Sequence, residues 1–178
     1  MSETCFAYES SRLVYEALRA EHAAVLFQAL ADPLVSRHLN CDPPASVEAL
    51  SAQFARVAAG PSPHQSHLQW INFAVQVKAD GQWIGRVEAT AHPDWAEVAY
   101  LFGPAHWGRG YASESLEWLH SYLRIQHGVS EFWATVAPGN ERSIRLLLRS
   151  GYRRTPMCDA RPLSSFEPGD EVFQFIME

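Results

Sequence analysis

Apolar positions along this chain change their period several times, and each change marks an element. Arg12-Leu13-Val14-Tyr15-Glu16-Ala17-Leu18 alternates and reads as a first strand. In 21–30 (EHAAVLFQAL), Ala24, Val25, Phe27 and Leu30 recur at helical spacing. Asp32-Pro33 begins a short helical turn, with Asp as cap and Pro at the first helical position. Ser46 caps a helix expected to run to about Ala59, where Gly60-Pro61-Ser62-Pro63 ends it.

The middle of the chain turns β-branched and aromatic. Residues 70–78 (WINFAVQVK) and 83–91 (WIGRVEATA) flank Ala79-Asp80-Gly81-Gln82, which offers an Asp-Gly hairpin turn. His92-Pro93-Asp94 turns the chain again into 96–102 (AEVAYLF), completing an antiparallel meander. The period then becomes 3.6. From Tyr111 to His127, Ala112, Leu116, Leu119 and Leu123 form one stripe, with Gly128 as the stop. Residues 131–136 (EFWATV) form a strand, and Asn140 opens a helix through about Ser150 that Gly151 ends. Tyr152-Arg153-Arg154 resumes strand, 156–170 is a polar loop, and 171–177 (EVFQFIM) is a last strand. The order β–α–α–βββ–α–β–α–β–β predicts one mixed α/β (α+β) domain over residues 1–178, with no internal repeat or linker.

Composition narrows the chemistry. With 178 residues, 47% hydrophobic and 19% charged, the chain can bury a full core without disulfides. Its net charge of −6 lacks the basic stripe of a nucleic-acid binder and suits a cationic partner. Cys5, Cys41 and Cys158 are far apart, and the histidines show no HxxxH spacing, so no metal site is expected. The start, MSETCFAYESSR, has neither a basic nor an apolar leader region, and no run of 18 apolar residues occurs. A cytoplasmic protein with no membrane partner is expected.

The segment Leu101-Phe102-Gly103-Pro104-Ala105-His106-Trp107-Gly108-Arg109-Gly110-Tyr111-Ala112-Ser113-Glu114 concentrates the candidate chemistry. A strand ends, two glycines one residue apart follow, and a helix begins at once. Such backbone can turn its N–H groups toward a phosphate, and the helix N-terminus adds positive dipole. It is no P-loop, because Arg109-Gly110 replaces the Lys-Ser/Thr pair. It is no dinucleotide fingerprint, because Ser113 stands where a third Gly or Ala belongs. A tight strand-to-helix turn without any ligand remains the plain alternative.

The surrounding residues decide the matter. Glu97-Val98-Ala99-Tyr100-Leu101-Phe102-Gly103-Pro104, Trp107 through Glu114, and Asn140-Glu141-Arg142-Ser143-Ile144-Arg145 with Leu148-Arg149-Ser150-Gly151-Tyr152 resemble the GNAT superfamily of acetyl-CoA-dependent N-acetyltransferases. They are most similar to its branch of ribosomal-protein N-terminal (Rim-type) enzymes, over residues 11–155. Two positions depart from the family pattern. Ala105 replaces the usual Gln or Arg three residues before the first glycine, and Leu147 replaces the Tyr that often serves as general acid.

The resemblance implies a central, twisted, mostly antiparallel sheet of about seven strands. It would be splayed between the fourth and fifth, with helices on both faces. It implies acetyl-CoA as co-substrate, with Leu101, Phe102 and Gly103 lining the pantetheine arm through their backbone. The N–H groups of Trp107, Gly108, Arg109, Gly110, Tyr111 and Ala112 would hold the pyrophosphate, with Ser113 beside them, and Phe102 N–H would face the thioester carbonyl. Glu97 and Glu88 are candidate bases for the amine. Ser143 would reach the sulfur and Asn140 the arm, although both positions also suit helix capping. Arg142, Arg145 and Arg149 could reach CoA phosphates or form a solvated face. The acceptor, a protein N-terminus or a small amine, would lie between the loops at 36–45 and 156–170. A homodimer is expected of many relatives, and a CoA-binding module without catalysis is the competing function.

Overall fold

The computed structural model describes residues 8–177; Cys5 and most of the N-terminal leader reading lie outside them. Strands β1 (Leu13–Ala17), β2 (Gln69–Val77), β3 (Trp83–Ala91), β4 (Trp95–Phe102), β5 (Glu131–Val136), β6 (Arg153–Arg154) and β7 (Glu171–Ile176) form one seven-stranded sheet, ordered β1-β2-β3-β4-β5-β7-β6. Every neighbouring pair is antiparallel except β4 and β5. That parallel contact is short, pairing Trp95–Glu97 with Glu131–Trp133 and then ending. Each strand keeps its other partner beyond that point, β4 on β3 and β5 on β7, so the sheet opens between them.

Among the described residues the α-helices are α1 (His22–Leu30), α2 (Pro33–Ser36), α3 (Val47–Ala58), α4 (Tyr111–His127) and α5 (Glu141–Arg149). Their ends follow local chemistry. Ser46 Oγ accepts from Ala49 N–H to start α3, and Asp32 accepts from Leu34 N–H to start α2. At the end of α4, Gly128 takes φ +70 and its N–H bonds Arg124 O, closing the helix in a left-handed turn. The turn between β2 and β3 is longer than the Asp-Gly hairpin expected. Asp80-Gly81 sits within a five-residue loop, because the register slips at Val75/Gln76.

Each sheet face carries its own core. Leu116, Leu119 and Leu123 of α4 bury fully against Phe73, Val75, Val87 and Phe132. Each such leucine contributes about 1.5–3 kcal/mol by leaving water. On the opposite face, Leu26 and Leu30 of α1 and Leu50 and Phe54 of α3 cover Ala74. A third patch, Trp95, Trp133, Leu163 and Val172, lies under the 160–166 loop. Among the described residues no helix is long and apolar enough to cross a membrane, and no group of His, Cys, Asp or Glu is placed to hold a metal ion.

Candidate active site

The opening between β4 and β5 leads into a cavity of about 740 Å³, lined by β4, β5, the start of α5 and the chain around Leu34–Cys41. Its chemistry follows from strand alternation. Gly103 N–H donates to Ile84 O, so in this antiparallel pairing Leu101 and Ala99 also turn their backbone groups toward β3. Tyr100 and Phe102 turn theirs toward β5, where no strand faces them. Of the three residues expected to line an arm by backbone, Phe102 alone turns its N–H toward the slot. Leu101 and Gly103 spend their N–H groups inside the sheet, and Tyr100 takes their place.

Tyr100 is the residue that sequence reasoning missed. Alternation along EVAYLF would have found it, on the face opposite Glu97. Its hydroxyl lies 2.7 Å from Ser143 Oγ, bridging β4 and α5 across the slot. Burial pushes the Tyr100 phenol up to about 12, so it stays protonated. Asn140 caps α5, its Oδ1 accepting from Ser143 N–H at 3.3 Å. Leu147 is fully buried and brings no polar group to the slot.

Beside the slot, Gly108 and Gly110 adopt φ +75 and +79, conformations closed to most side chains. A Cβ on Gly108 would meet nothing within 4 Å. Gly110 caps α4 without any side-chain bond, leaving the first-turn N–H groups of Tyr111, Ala112 and Ser113 to face outward. Trp107 N–H is not among the open donors, because it bonds Pro104 O in a short turn. Its indole instead fastens the loop, donating to Phe102 O at 2.7 Å while the Arg142 guanidinium stacks 3.7 Å over the ring. Arg145 also lines the cavity, whereas Arg149 turns back to donate to Arg145 O.

A second tie comes from the far edge of the sheet. Glu114, in the first turn of α4, accepts from Arg12 N–H, Arg12 Nε and Ser10 Oγ, each at 2.7 Å. Arg12 Nη1 also donates to Arg109 O at 2.9 Å. Part burial would raise the Glu114 pKa, but these donors outweigh it and hold the carboxyl below its usual range.

The two candidate bases separate. Glu97 is buried, and its carboxylate accepts four hydrogen bonds of 2.7–3.0 Å from the N–H and hydroxyl groups of Ser164 and Ser165. With both oxygens committed and His92 Nε2 at 3.6 Å, Glu97 anchors the 160–166 loop and has no lone pair directed at a substrate. Glu88 lies where the main cavity meets a smaller one of about 250 Å³, which Trp70, Asn72, Thr90, Ser164 and Ser165 also line. Its Oε2 is 2.6 Å from Arg86 Nη1, an ion pair that uses one of its two oxygens.

Comparisons with known proteins agree with this architecture. Residues 12–153 match the family model for the acetyltransferase (GNAT) domain. The chain is 27% identical over 150 residues to the uncharacterized N-acetyltransferase YoaA of Bacillus subtilis (strain 168), covering 82% of each. A solved GNAT-family acetyltransferase from Bacillus anthracis superposes with a TM-score of 0.76 at 16% identity, covering 95% of this chain and 97% of that one. RimL, a ribosomal L7/L12 alpha-N-protein acetyltransferase in complex with coenzyme A, superposes at 0.74 with 17% identity, covering 94% and 96%. The chain belongs to the GNAT family. It is an acetyltransferase, of a family that uses acetyl-CoA.

Proposed function

We propose that this chain moves the acetyl group of acetyl-CoA onto a primary amine by direct attack on the thioester. One observation carries the reading: at the β4–β5 divergence the backbone of Tyr100 and the N–H of Phe102 turn toward a slot that no strand covers, and the slot opens at Glu88 toward a second cavity. An amide-bearing arm pairs with such an edge as an added strand would. The N–H groups of Gly108 through Ser113 bind the diphosphate, with Arg142 and Arg145 nearby.

Phe102 N–H hydrogen-bonds the thioester oxygen and stabilises the charge that develops on it. Glu88, directly or through one water, takes the proton of an amine whose pKa of about 10 keeps it largely protonated. Tyr100 and Ser143 hold the departing sulfur by hydrogen bonding. A thiolate of pKa about 8.5 cannot strip a phenol pushed up to about 12, so they orient and do not protonate.

The test is a thermal-shift titration with acetyl-CoA, CoA, NAD and ATP, followed by a thiol-release assay with amines. A shift confined to the CoA compounds, with thiol released when an amine is added, is the expected result. No shift with either CoA compound refutes the reading. A shift without thiol release across amines marks a CoA-binding module instead.

A further inference from the structure

The smaller cavity carries a statement about the acceptor, resting on the acetyl-transfer reading. The register stacks one sheet face in three rows: Ala74/Arg86/Leu101, then Asn72/Glu88/Ala99, then Trp70/Thr90/Glu97. The first row lies under α1 and α3, with Leu101 partly buried against that core. The other two rows floor a groove between Val57 of α3 and Ser164-Ser165 of the anchored loop. Ala99 puts only a methyl into the floor and is exposed, which leaves room above it. At the outer row Trp70 stands 39% exposed beside the groove, a flat apolar wall. The volume of about 250 Å³ equals that of roughly eight waters, enough for one ring and a short linker.

Charge narrows the class further. Two carboxylates, Glu88 and Glu97, line this groove, and among the described residues no Lys or Arg does. Arg86, one row away, is committed to Glu88. An ammonium group entering toward the main cavity therefore meets Glu88. A carboxylate on the carbon next to that amine would arrive beside Glu88 as well, with no cation of the groove to receive it. Like charges at such spacing oppose binding by on the order of a hundredfold.

We infer that the acceptor is a compact primary amine with an apolar, ring-sized body and no acidic group, its nitrogen at Glu88 and its body on Trp70. Charge disfavours a free amino acid, and the small volume of the groove favours such an amine over a polypeptide N-terminus.

The experiment measures CoA thiol release by the full chain with 2-phenylethylamine, tyramine, benzylamine, phenylalanine and a hexapeptide with a free N-terminus. Acetyl-CoA binding is followed separately by thermal shift. At least one of the three amines is expected to turn over, with phenylalanine about a hundredfold lower in kcat/KM than phenylethylamine. Trp70→Ala should raise the KM of the accepted amine about tenfold, the size of a lost aromatic contact, with kcat and the acetyl-CoA shift unchanged. The inference is overturned if phenylalanine or the peptide is preferred, if either of them turns over while all three amines are silent, or if Trp70→Ala leaves KM alone. Absence of any acetyl-CoA shift sinks the acetyl-transfer reading itself, a distinguishable failure.

Discussion

Gly108 and Gly128 make a matched pair for testing the cradle. Both hold positive φ, +75 and +70, and a Cβ on either meets no atom within 4 Å. An alanine at each position therefore suffers the same left-handed strain of about 1–2 kcal/mol and no clash. For a chain of 178 residues, about 2–4 °C per kcal/mol gives a melting-temperature loss of roughly 2–8 °C in both variants. The positions differ in what lies outside the protein. Gly128 ends α4, far along the helix, whereas Gly108 stands in the loop before its start. If the diphosphate rests on that loop, the new methyl of Gly108→Ala occupies its place. Acetyl-CoA affinity should then fall by about 10–100-fold, or about 1.4–2.8 kcal/mol, with Gly128→Ala at the wild-type value. Isothermal titration calorimetry with acetyl-CoA on the two variants decides it. Equal melting losses with acetyl-CoA affinity within twofold for both would reduce the loop to a turn and refute the argument.

Other perturbations test other parts. Glu88→Gln should lower amine kcat about 10²-fold or more while leaving the acetyl-CoA thermal shift intact. Glu114→Gln removes the charge that holds Arg12 and, through it, the Arg109 carbonyl; because Arg12 is half exposed, a cost of about 1 kcal/mol in urea unfolding is expected, with a raised KM for acetyl-CoA. Gly85→Ala would place its Cβ 2.2 Å from Leu101 O. It should cost about 3 kcal/mol by denaturation and weaken acetyl-CoA binding, since β4 must shift at the slot. His120 is buried against Tyr152 and held neutral, its pKa driven by burial from 6.5 to about 3. Between those values the unfolded chain binds a proton that the folded chain refuses. Stability should therefore fall as pH drops below 6.5, by about 1.4 kcal/mol per unit. Urea midpoints from pH 7 to 4 should show this slope, and His120→Gln should flatten it.

How much could be read from the chain depended on how local the cause was. The stripe at Leu116, Leu119 and Leu123 and the alternation of the meander are nearest-neighbour signals, and they placed the helix and the strands, whereas the opening at β4 was expected only from the family resemblance. The glycine pair before α4 was legible because positive φ is a property of single residues. Glu97 was not, because its partners lie at Ser164 and Ser165, 67 and 68 residues on, in a loop with no periodic pattern. Arg12 likewise meets Glu114 across 102 residues of chain. Tyr100 falls between these cases. Its strand face followed from alternation, but its hydroxyl partner Ser143 came only with the packing of α5 on β4.

The double clasp of Ser164-Ser165 on Glu97 makes this wall of the smaller cavity a mounted part. Two successive residues of the loop hang on one side chain of the strand that also carries the slot, while Arg161 is pinned to Glu131 on the next strand. Segments grafted between Pro156 and Asp170 that retain these pegs would be displayed at a fixed height above Ala99. If the smaller groove seats the acceptor amine, a library diversified there would retune which amine enters while the glycine loop before α4 stayed as it is.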